Sequence, residues 1–222
     1  MEQSVKHVLC DLDDTLYAYA PCEEAATAAV NAAIATDLGI DPKDARAAWS
    51  AARKACKTRV EGTGSSHNRF LYAVEVAHAL GSSMDRVRGW ERVYWTAYLD
   101  AARLRPRVLP FLAQMRLNGS KLAIVTDLTI EPQLAKIEQL GIAPFVDALA
   151  VSEEVMRDKP EPAIFRLAAV RLGVPLETCV MIGDSDAKDG EGARRLGIPF
   201  FAIDPKEPEG VAFDTIAKEL WG

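Results

Sequence analysis

The pattern of hydrophobic and polar residues divides the chain into three stretches. A short apolar run, Val5 to Leu12, ends abruptly in acids and is typical of a parallel strand buried on both faces. Residues 17 to 105 show only helical periodicity, whereas from residue 106 helical segments alternate with short apolar runs. This order predicts an α/β fold: a doubly wound parallel sheet with an all-helical insertion after its first strand.

Four helices are predicted in the insertion. They cover residues 21–38, a second segment opened by Asp41 and Pro42, the segment His67 to Leu80, and a fourth that Ser83 can cap. In the fourth, Val87, Trp90, Tyr94 and Tyr98 recur at helical spacing, which favours a buried face over a ligand-binding face.

Four further strands are predicted after residue 106. They are Lys121 to Thr126, Val146 to Val151, Cys179 to Gly183 and Phe200 to Ile203. A connection as long as residues 17–105 exceeds any ordinary loop, so it should form a domain of its own. We therefore predict a catalytic core of residues 1–16 and 106–222 and a helical cap of residues 17–105.

Composition narrows the class of protein. The 222 residues are 49% hydrophobic, which excludes a disordered chain, and a net charge of −6 without a basic tract favours neither nucleic acid nor an anionic membrane as partner. The four cysteines, Cys10, Cys22, Cys56 and Cys179, lack the paired spacing of a zinc site or a disulfide framework. With no signal peptide and no apolar run of membrane-spanning length, we expect a cytoplasmic monomer or homodimer.

Charge is unevenly distributed between the two predicted domains. Residues 17–105 carry 12 Lys+Arg against 10 Asp+Glu, net +2, and the remainder carries 14 against 22, net −8. An acidic remainder that handles phosphate would need a cation, and a mildly basic segment beside it would suit an anionic substrate.

Side chains that could bind a metal ion or a phosphate lie at or just after the ends of predicted strands, or just before a predicted helix. Asp11 and Asp13 leave the first strand on the same side, and Thr126 and Asp127 end the second. Lys159 precedes a helix start, where an ammonium and a helix N-terminus both favour phosphate. The segment from Asp184 to Asp189 supplies acids for a hard cation. Singly, each could be a cap or a surface charge, but together they share one edge of one sheet.

In order, these residues form the motifs D-x-D-x-T, an apolar strand ending in Thr, K-P, and G-D-x-x-x-x-D. The chain thereby resembles the haloacid dehalogenase-like superfamily of phosphohydrolases, in the subgroup with a helical cap after the first strand of a Rossmann-like core. The resemblance implies that Asp11 is the nucleophile and Asp13 the general acid and base. It also implies a strand order that places the first strand centrally, beside the strand ending at Ile182.

The resemblance further implies how the phosphoryl group and the metal are held. Thr126 and Lys159 would hold the phosphoryl group, and Asp184 and Asp189 would bind Mg²⁺ together with Asp11 and the backbone carbonyl of Asp13. The chain departs from the family at Asp127, where many relatives have asparagine. The change leaves the backbone donor intact and adds a negative charge near the phosphate.

The predicted function is a Mg²⁺-dependent phosphatase that hydrolyses a small metabolite phosphate, such as a sugar or polyol phosphate, through an aspartyl-phosphate. A phosphomutase on the same residues and a non-hydrolytic phospho-receiver or binding protein stay open as alternatives. A carbon–halogen hydrolase would need neither Asp13 nor the acids near Asp184. A phosphonate hydrolase would need a cap lysine, and no context singles out Lys43, Lys54 or Lys57.

Substrate recognition is expected in the loop Gly62 to Arg69. Its glycines let backbone approach closely, His67 and Asn68 offer hydrogen bonds, and Arg59 and Arg69 could meet a second anionic group. The alternative is an ordinary capping loop, with Ser66 capping the helix that starts near His67.

Overall fold

A parallel five-stranded sheet organises the molecule, as seen in a computed structural model that describes residues 6–222. The strands in chain order are β1 (His7–Cys10), β2 (Leu122–Thr126), β3 (Ala148–Val151), β4 (Cys179–Gly183) and β5 (Phe200–Ala202). Their spatial order is β3-β2-β1-β4-β5. The predicted doubly wound sheet is therefore confirmed.

The first strand lies in the centre of the sheet. Cys10 is level with Ile124 of β2 on one side and with Ile182 of β4 on the other. β1 ends at Cys10, earlier than the predicted Leu12, and among the described residues it begins at His7; the predicted start, Val5, lies outside the described residues. The order reverses between β1 and β4, and open α/β sheets bind ligands at the carboxyl ends of strands beside such a reversal.

Helices cover both faces of this sheet. They are α5 (Val108–Leu117), α6 (Ile130–Gln139), α7 (Ser152–Val155), α8 (Pro162–Leu172), α9 (Glu191–Leu196) and α10 (Ala212–Trp221). One apolar cluster packs α8 against Leu9, Val125 and Met181, and another packs the opposite face of the sheet. Sheet residues are buried on both sides, which explains the continuous apolar runs of the sequence.

The inserted segment is helical throughout its main elements: α1 (Tyr19–Leu38), α2 (Pro42–Arg59), α3 (Arg69–Ala79) and α4 (Val87–Ala101). Asp41 caps α2 as predicted, accepting a hydrogen bond from the Lys43 N–H at 2.8 Å. The predicted face of α4 is buried, with Tyr94 and Tyr98 fully inaccessible.

One helix start was predicted wrongly. Asn68, not Ser66, caps α3, since its side-chain oxygen accepts from the N–H groups of Phe70 and Leu71. Ser66 instead belongs to a short helical turn, Gly64–His67, that precedes the N-cap residue Asn68. Asn and Ser are nearly equal as N-caps, so composition alone could not choose between them.

The chain crosses twice between the sheet and the inserted helices, and the two crossings lie side by side. Tyr17 bridges to Leu104, and the Arg105 N–H donates to the Leu16 carbonyl at 3.0 Å. The Arg105 guanidinium also donates to the carbonyls of Asp14 and Thr15, at 2.8 and 3.1 Å. A buried arginine thus fixes both crossings next to the end of β1.

The inserted helices also contact the sheet side through the loop before α3. A Cβ at Gly64 would lie 2.7 Å from the Leu128 carbonyl oxygen and 2.8 Å from the Glu153 nitrogen, so only glycine fits there. Asp158 donates its N–H to the Gly62 carbonyl at 2.9 Å. Within residues 6–222, no helix is both long and apolar enough to cross a membrane.

Candidate active site

Three carboxylates meet beyond the carboxyl ends of β1 and β4. Oxygens of Asp11, Asp184 and Asp189 all lie within 4.8 Å of one another. Adjacent parallel strands end at the same edge, which is why residues far apart in sequence meet here. A Cβ on Gly183 would collide with the Asp189 carboxyl, so the glycine makes room for that acid.

Lys159 is inserted among these acids. Its ammonium donates to Asp11 Oδ1 at 2.6 Å, to Asp189 Oδ1 at 2.7 Å and to the Val125 carbonyl at 3.1 Å. Both Lys159 and Asp189 are almost fully buried. The two carboxylates raise the pKa of Lys159 well above its ordinary value despite burial, which by itself lowers that pKa, so the residue is a fixed cation.

The cluster still has more negative than positive charge. Burial raises the pKa of Asp11 well above its ordinary value; Lys159 opposes the rise, and Asp189 and Asp13 add to it. Burial, then Asp189 and Asp14, also raise the pKa of Asp184. Three crowded carboxylates around one ammonium are a poor arrangement by themselves, and their hard oxygens suit a small divalent cation. The donor set therefore fits a divalent metal ion.

The motif threonines orient these groups. The Thr15 hydroxyl is 3.1 Å from Asp11 Oδ2 and 3.4 Å from Asp184 Oδ1, so it spans the ends of β1 and β4. Thr126, at the end of β2, is buried and its Oγ1 accepts from Gln133 Nε2 at 2.7 Å. Thr126 lines the same cavity as Asp11 and Lys159.

The extra negative charge of Asp127 is neutralised within the chain. Its Oδ2 lies 2.7 Å from the Lys188 ammonium, and its Oδ1 accepts from the Lys159 N–H at 2.9 Å. The carboxylate thus fixes the backbone that presents Lys159, while Lys188 neutralises it. The departure from the family at this position is compensated within the chain.

Asp13 is held by residues that the sequence analysis missed. Lys136 of α6 donates to its two oxygens at 2.7 and 3.0 Å, Gln133 Nε2 donates at 3.2 Å, and the Tyr17 hydroxyl donates to Oδ1. Burial raises the pKa of Asp13, but Lys136, Tyr17 and Gln133 more than offset it and hold that pKa below its ordinary value. The carboxyl that is expected to move protons is therefore tightly oriented.

A signal for Gln133 and Lys136 does exist in the sequence. Both lie on the buried face of α6 with Pro132 and Ile137, and Lys136 is 1% exposed. A glutamine and a lysine at positions where the helix periodicity requires apolar residues must find buried partners. Their partner, Asp13, is more than a hundred positions away, so the pattern identifies the anomaly but not the contact.

On the opposite side of the site, aromatic and charged residues of the inserted helices surround Arg69. Its guanidinium donates to Tyr94 Oη at 2.8 Å and to Glu23 Oε2 at 3.1 Å, and it lies 5.2 Å from the Trp95 ring centre. Arg53 approaches the other Glu23 oxygen at 3.2 Å. One carboxylate therefore serves two guanidinium groups.

The four residues expected to contact substrate have different positions. His67 and Arg69 line the cavity, with His67 Nε2 3.6 Å from Asp158 Oδ2. Arg59 and Asn68 do not: Arg59 pairs with Glu75 at 2.7 Å on the surface, and the Asn68 oxygen caps α3. For those two residues the structure gives other partners: Arg59 ends α2 and reaches Glu75 of α3, and Asn68 is used as the N-cap of α3.

A cavity of about 300 Å³ lies between the carboxylate cluster and the inserted helices. Its lining includes all the predicted core residues: Asp11, Asp13, Thr126, Asp127, Lys159, Asp184 and Asp189. From the inserted helices it receives Tyr19, Arg53, Lys57, His67 and Arg69. Its volume suits a small metabolite.

This fold and site define a hydrolase of the class in which a helical insertion faces an acidic sheet edge. A sequence model of haloacid dehalogenase-like hydrolases matches residues 5–197, and the chain belongs to that family. It is 37% identical to a ribulose-1,5-bisphosphate 5-phosphatase of Halopiger xanaduensis, over 90% of this chain and 85% of that protein.

Two other comparisons separate fold from activity. The chain is 33% identical to a glyceraldehyde 3-phosphate phosphatase of Methanopyrus kandleri, over 87% of this chain and 82% of that protein. A solved 2-haloacid dehalogenase of Pseudomonas syringae superposes with a TM-score of 0.75 at 22% identity, covering 98% of this chain and all of the other. The last likeness shows the shared fold alone.

Proposed function

We propose that this protein is a Mg²⁺-dependent phosphatase that hydrolyses a small sugar phosphate or related phosphomonoester. The observation that carries the proposal is the buried cluster of Asp11, Asp184 and Asp189 around Lys159, at the end of the central strand. A carbon–halogen hydrolase has no use for such a cation-binding set beside a second, tightly held carboxyl.

The first half of the reaction transfers the phosphoryl group to the enzyme. An Asp11 oxygen attacks phosphorus, the bond from phosphorus to the substrate oxygen breaks, and Asp13 gives the leaving alkoxide a proton. Lys159 and the Thr126 hydroxyl stabilise the charge on the non-bridging oxygens. The close contact of Lys159 with Asp11 supports this role, since it lets a carboxylate approach an anionic phosphate.

The second half hydrolyses the aspartyl-phosphate. Asp13, now a carboxylate, takes a proton from water, which attacks phosphorus and restores Asp11 with release of inorganic phosphate. Lys136, Gln133 and Tyr17 keep the Asp13 carboxyl in one orientation for both proton transfers. Because all three groups donate to the carboxylate and lower its pKa, they favour the ionised form of Asp13 that accepts the proton from water.

Asp11, Asp184, Asp189 and the backbone carbonyl of Asp13 would hold Mg²⁺. Bound there, the ion neutralises the carboxylates and polarises a phosphate oxygen. Burial, and after it the neighbouring carboxylates, raise the pKa of Asp11 and Asp184, and a divalent cation bound there would favour the ionised carboxylates.

The class of substrate follows from the relatives and the cavity. Relatives at 37% and 33% identity are named for a pentulose bisphosphate and a triose phosphate, both small phosphorylated sugars. A cavity of about 300 Å³ accommodates molecules of that size. The cytoplasmic location and the monomeric or homodimeric state stay predictions of the sequence.

A phosphate-release screen over small sugar and polyol phosphates tests the proposal. Wild-type protein should release phosphate with Mg²⁺ and stop after chelation, and Asp11→Asn should fall by more than about a thousandfold while keeping its circular dichroism spectrum. Release that survives chelation, or an Asp11→Asn variant near wild-type rate, would contradict it.

A further inference from the structure

The cations that line the cavity differ in how they are neutralised. On the sheet side, each lysine faces a carboxylate: Lys159 faces Asp11 and Asp189, Lys136 faces Asp13, and Lys188 faces Asp127. On the side of the inserted helices, Arg53 and Arg69 share the single carboxylate of Glu23. Within residues 6–222, Lys57 makes no ion pair and no side-chain hydrogen bond.

Lys57 and Arg53 are one helical turn apart on α2. Residues four positions apart on a helix lie on the same side, and both side chains line the cavity and are half-buried. They also line a shallow groove that continues outward along α2, past Ser50 and Thr58. The two cations therefore stand where the cavity opens, away from the carboxylate cluster.

The charge on this side exceeds what packing requires. Arg53, Lys57 and Arg69 carry three positive charges and Glu23 carries one negative, so the cap side of the cavity has a formal excess of two. Burial lowers the pKa of Lys57, Arg53, Arg69 and Lys188 lower it further, and Glu23 opposes them without reversing the shift. Uncompensated, half-buried cations that line a cavity favour an anion in that cavity.

We propose that Lys57 and Arg53 form a subsite for a second anionic group of the substrate, a phosphate or carboxylate at the end that is not hydrolysed. This inference rests on the proposed phosphatase activity and names its substrate class: a small phosphorylated metabolite with two anionic ends. The transferring phosphoryl lies at Asp11 and Lys159, and the other end reaches the two cations of α2. Arg69 already donates to Glu23 and Tyr94, so it is not assigned to the subsite.

Matched substrates test this assignment. A pentulose 1,5-bisphosphate is compared with the corresponding pentulose 5-phosphate, and 3-phosphoglycerate with glycerol 3-phosphate, under Mg²⁺ and at low ionic strength. In wild type, the substrate with two anionic ends should have at least tenfold higher kcat/KM in one or both pairs. The pair with the larger gain tells whether the second group is phosphate or carboxylate. Added KCl should reduce that gain, since screening weakens charge recognition.

The Lys57→Met variant removes the charge and keeps the length of the side chain. In this variant, kcat/KM on the substrate with two anionic ends should fall at least about fivefold more than kcat/KM on its singly anionic partner, so that most of the tenfold preference is lost. Arg53→Gln should act in the same direction. Lys43→Met is the matched control, because Lys43 is an exposed lysine of the same helix that pairs with Asp41.

The outcomes distinguish this inference from the proposed function. No wild-type gain in either pair, or equal losses on both partners in Lys57→Met, would overturn the subsite while leaving a working phosphatase. No phosphate release from any of the four substrates or from an aryl phosphate would overturn the phosphatase itself.

Discussion

The two sides of the cavity carry charge clusters of opposite excess. At the sheet edge, Lys159 pairs with Asp11 and Asp189, and Asp184 lies beside them. The net formal charge of these four side chains is negative. Facing them, Arg53 and Arg69 pair with Glu23 and Lys57 also lines the cavity, so the net formal charge of these four side chains is positive. The first arrangement suits a metal cation and the second an anion, so one phosphorylated molecule with a metal ion could neutralise both.

The supporting structures of the two clusters also differ. The acidic cluster is set by strand ends in register, where Cys10 is level with Ile182, and by a glycine that leaves room for Asp189. The basic cluster is set by side chains on helices packed around aromatic rings, with the Arg69 guanidinium 5.0 Å from the Tyr94 ring centre and 5.2 Å from that of Trp95. The groups proposed for the chemical step are therefore positioned by strand ends, and those proposed for substrate recognition by helices.

Among the variants that remove a positive charge, the largest effect is expected at Lys159, the cation that contacts Asp11 and Asp189. Lys159→Met should lower kcat/KM by roughly a hundredfold or more on aryl and alkyl phosphates alike, because the transferring phosphoryl loses its main counter-charge. Steady-state phosphate release with both substrate types measures this. Lys206→Met, at an exposed lysine, is the control. A loss confined to one substrate type would contradict the assignment.

A smaller and more selective effect is expected from the residue that orients Asp13. Lys136→Met should lower kcat on alkyl phosphates roughly tenfold more than on aryl phosphates, since poor leaving groups need the proton. Lys136→Arg should recover part of the rate because it keeps a donor and a charge.

Lys136→Met is also expected to change the pH dependence of kcat. Burial raises the pKa of Asp13, and Lys136 more than offsets it, so the pKa rises when the ammonium is removed. The carboxylate needed to deprotonate water is then lost at a higher pH. The acidic limb of the kcat profile should therefore move to higher pH in Lys136→Met, and an unmoved limb would contradict the contact's role.

The basic cluster should affect stability more than chemistry. Glu23→Gln leaves Arg69 buried without its carboxylate and should cost roughly 3 kcal/mol in the free energy of unfolding at pH 7. Glu24→Gln, at the exposed neighbouring residue, is the control. Urea denaturation measures the free energy of unfolding of both variants. Equal values would show that the Glu23 carboxylate contributes nothing to the stability of the fold.

The pH dependence of the Glu23 contribution has a definite sign. Burial raises the pKa of Glu23, but Arg69, Tyr19 and Tyr94 bring it below its ordinary value. A lowered folded pKa gives stability that is complete above the unfolded pKa, near 4.3, and is lost as pH falls through the folded pKa. The difference in the free energy of unfolding between wild type and Glu23→Gln should therefore become smaller at acidic pH.

The smallest effect is expected at Asn68, which the sequence suggested as a substrate contact. Its oxygen caps α3, so Asn68→Ala should cost about 1 kcal/mol of stability and leave kcat/KM within twofold. Asn68→Asp should keep the stability because aspartate caps equally well. A tenfold loss of kcat/KM in the alanine variant would restore the original assignment.

The sheet, its strand order and the motif residues at the strand ends could all be predicted from the sequence. Strand periodicity is local, and parallel strands end at one edge, but the order that brings Asp11 and Asp184 together was implied by the family resemblance. On the helical side of the cavity, His67 and Arg69 were predicted and do line it, but Arg53 and Lys57 could not be predicted in this way. Arg53 and Lys57 line the cavity only because of how α2 packs against its neighbours, and nothing local to α2 records that orientation.

The contacts of Asp13 show the same limit more sharply. Tyr17 lies four positions from Asp13, but Lys136 is on a helix beyond another strand. The sequence marks Gln133 and Lys136 as polar residues on an otherwise buried face, and only the fold supplies their partner. Buried polar residues at core positions of a predicted helix are therefore worth treating as site candidates.

The central claim is that phosphate is carried on Asp11 during turnover. The direct measurement is rapid acid quenching of wild-type enzyme with Mg²⁺ and a good substrate, followed by peptide mass spectrometry. A phosphorylated peptide containing Asp11, absent from the Asp11→Asn variant and decaying when substrate is exhausted, is the predicted result. Full turnover without phosphate on that peptide, or with phosphate on Asp184 or Asp189 instead, would contradict it.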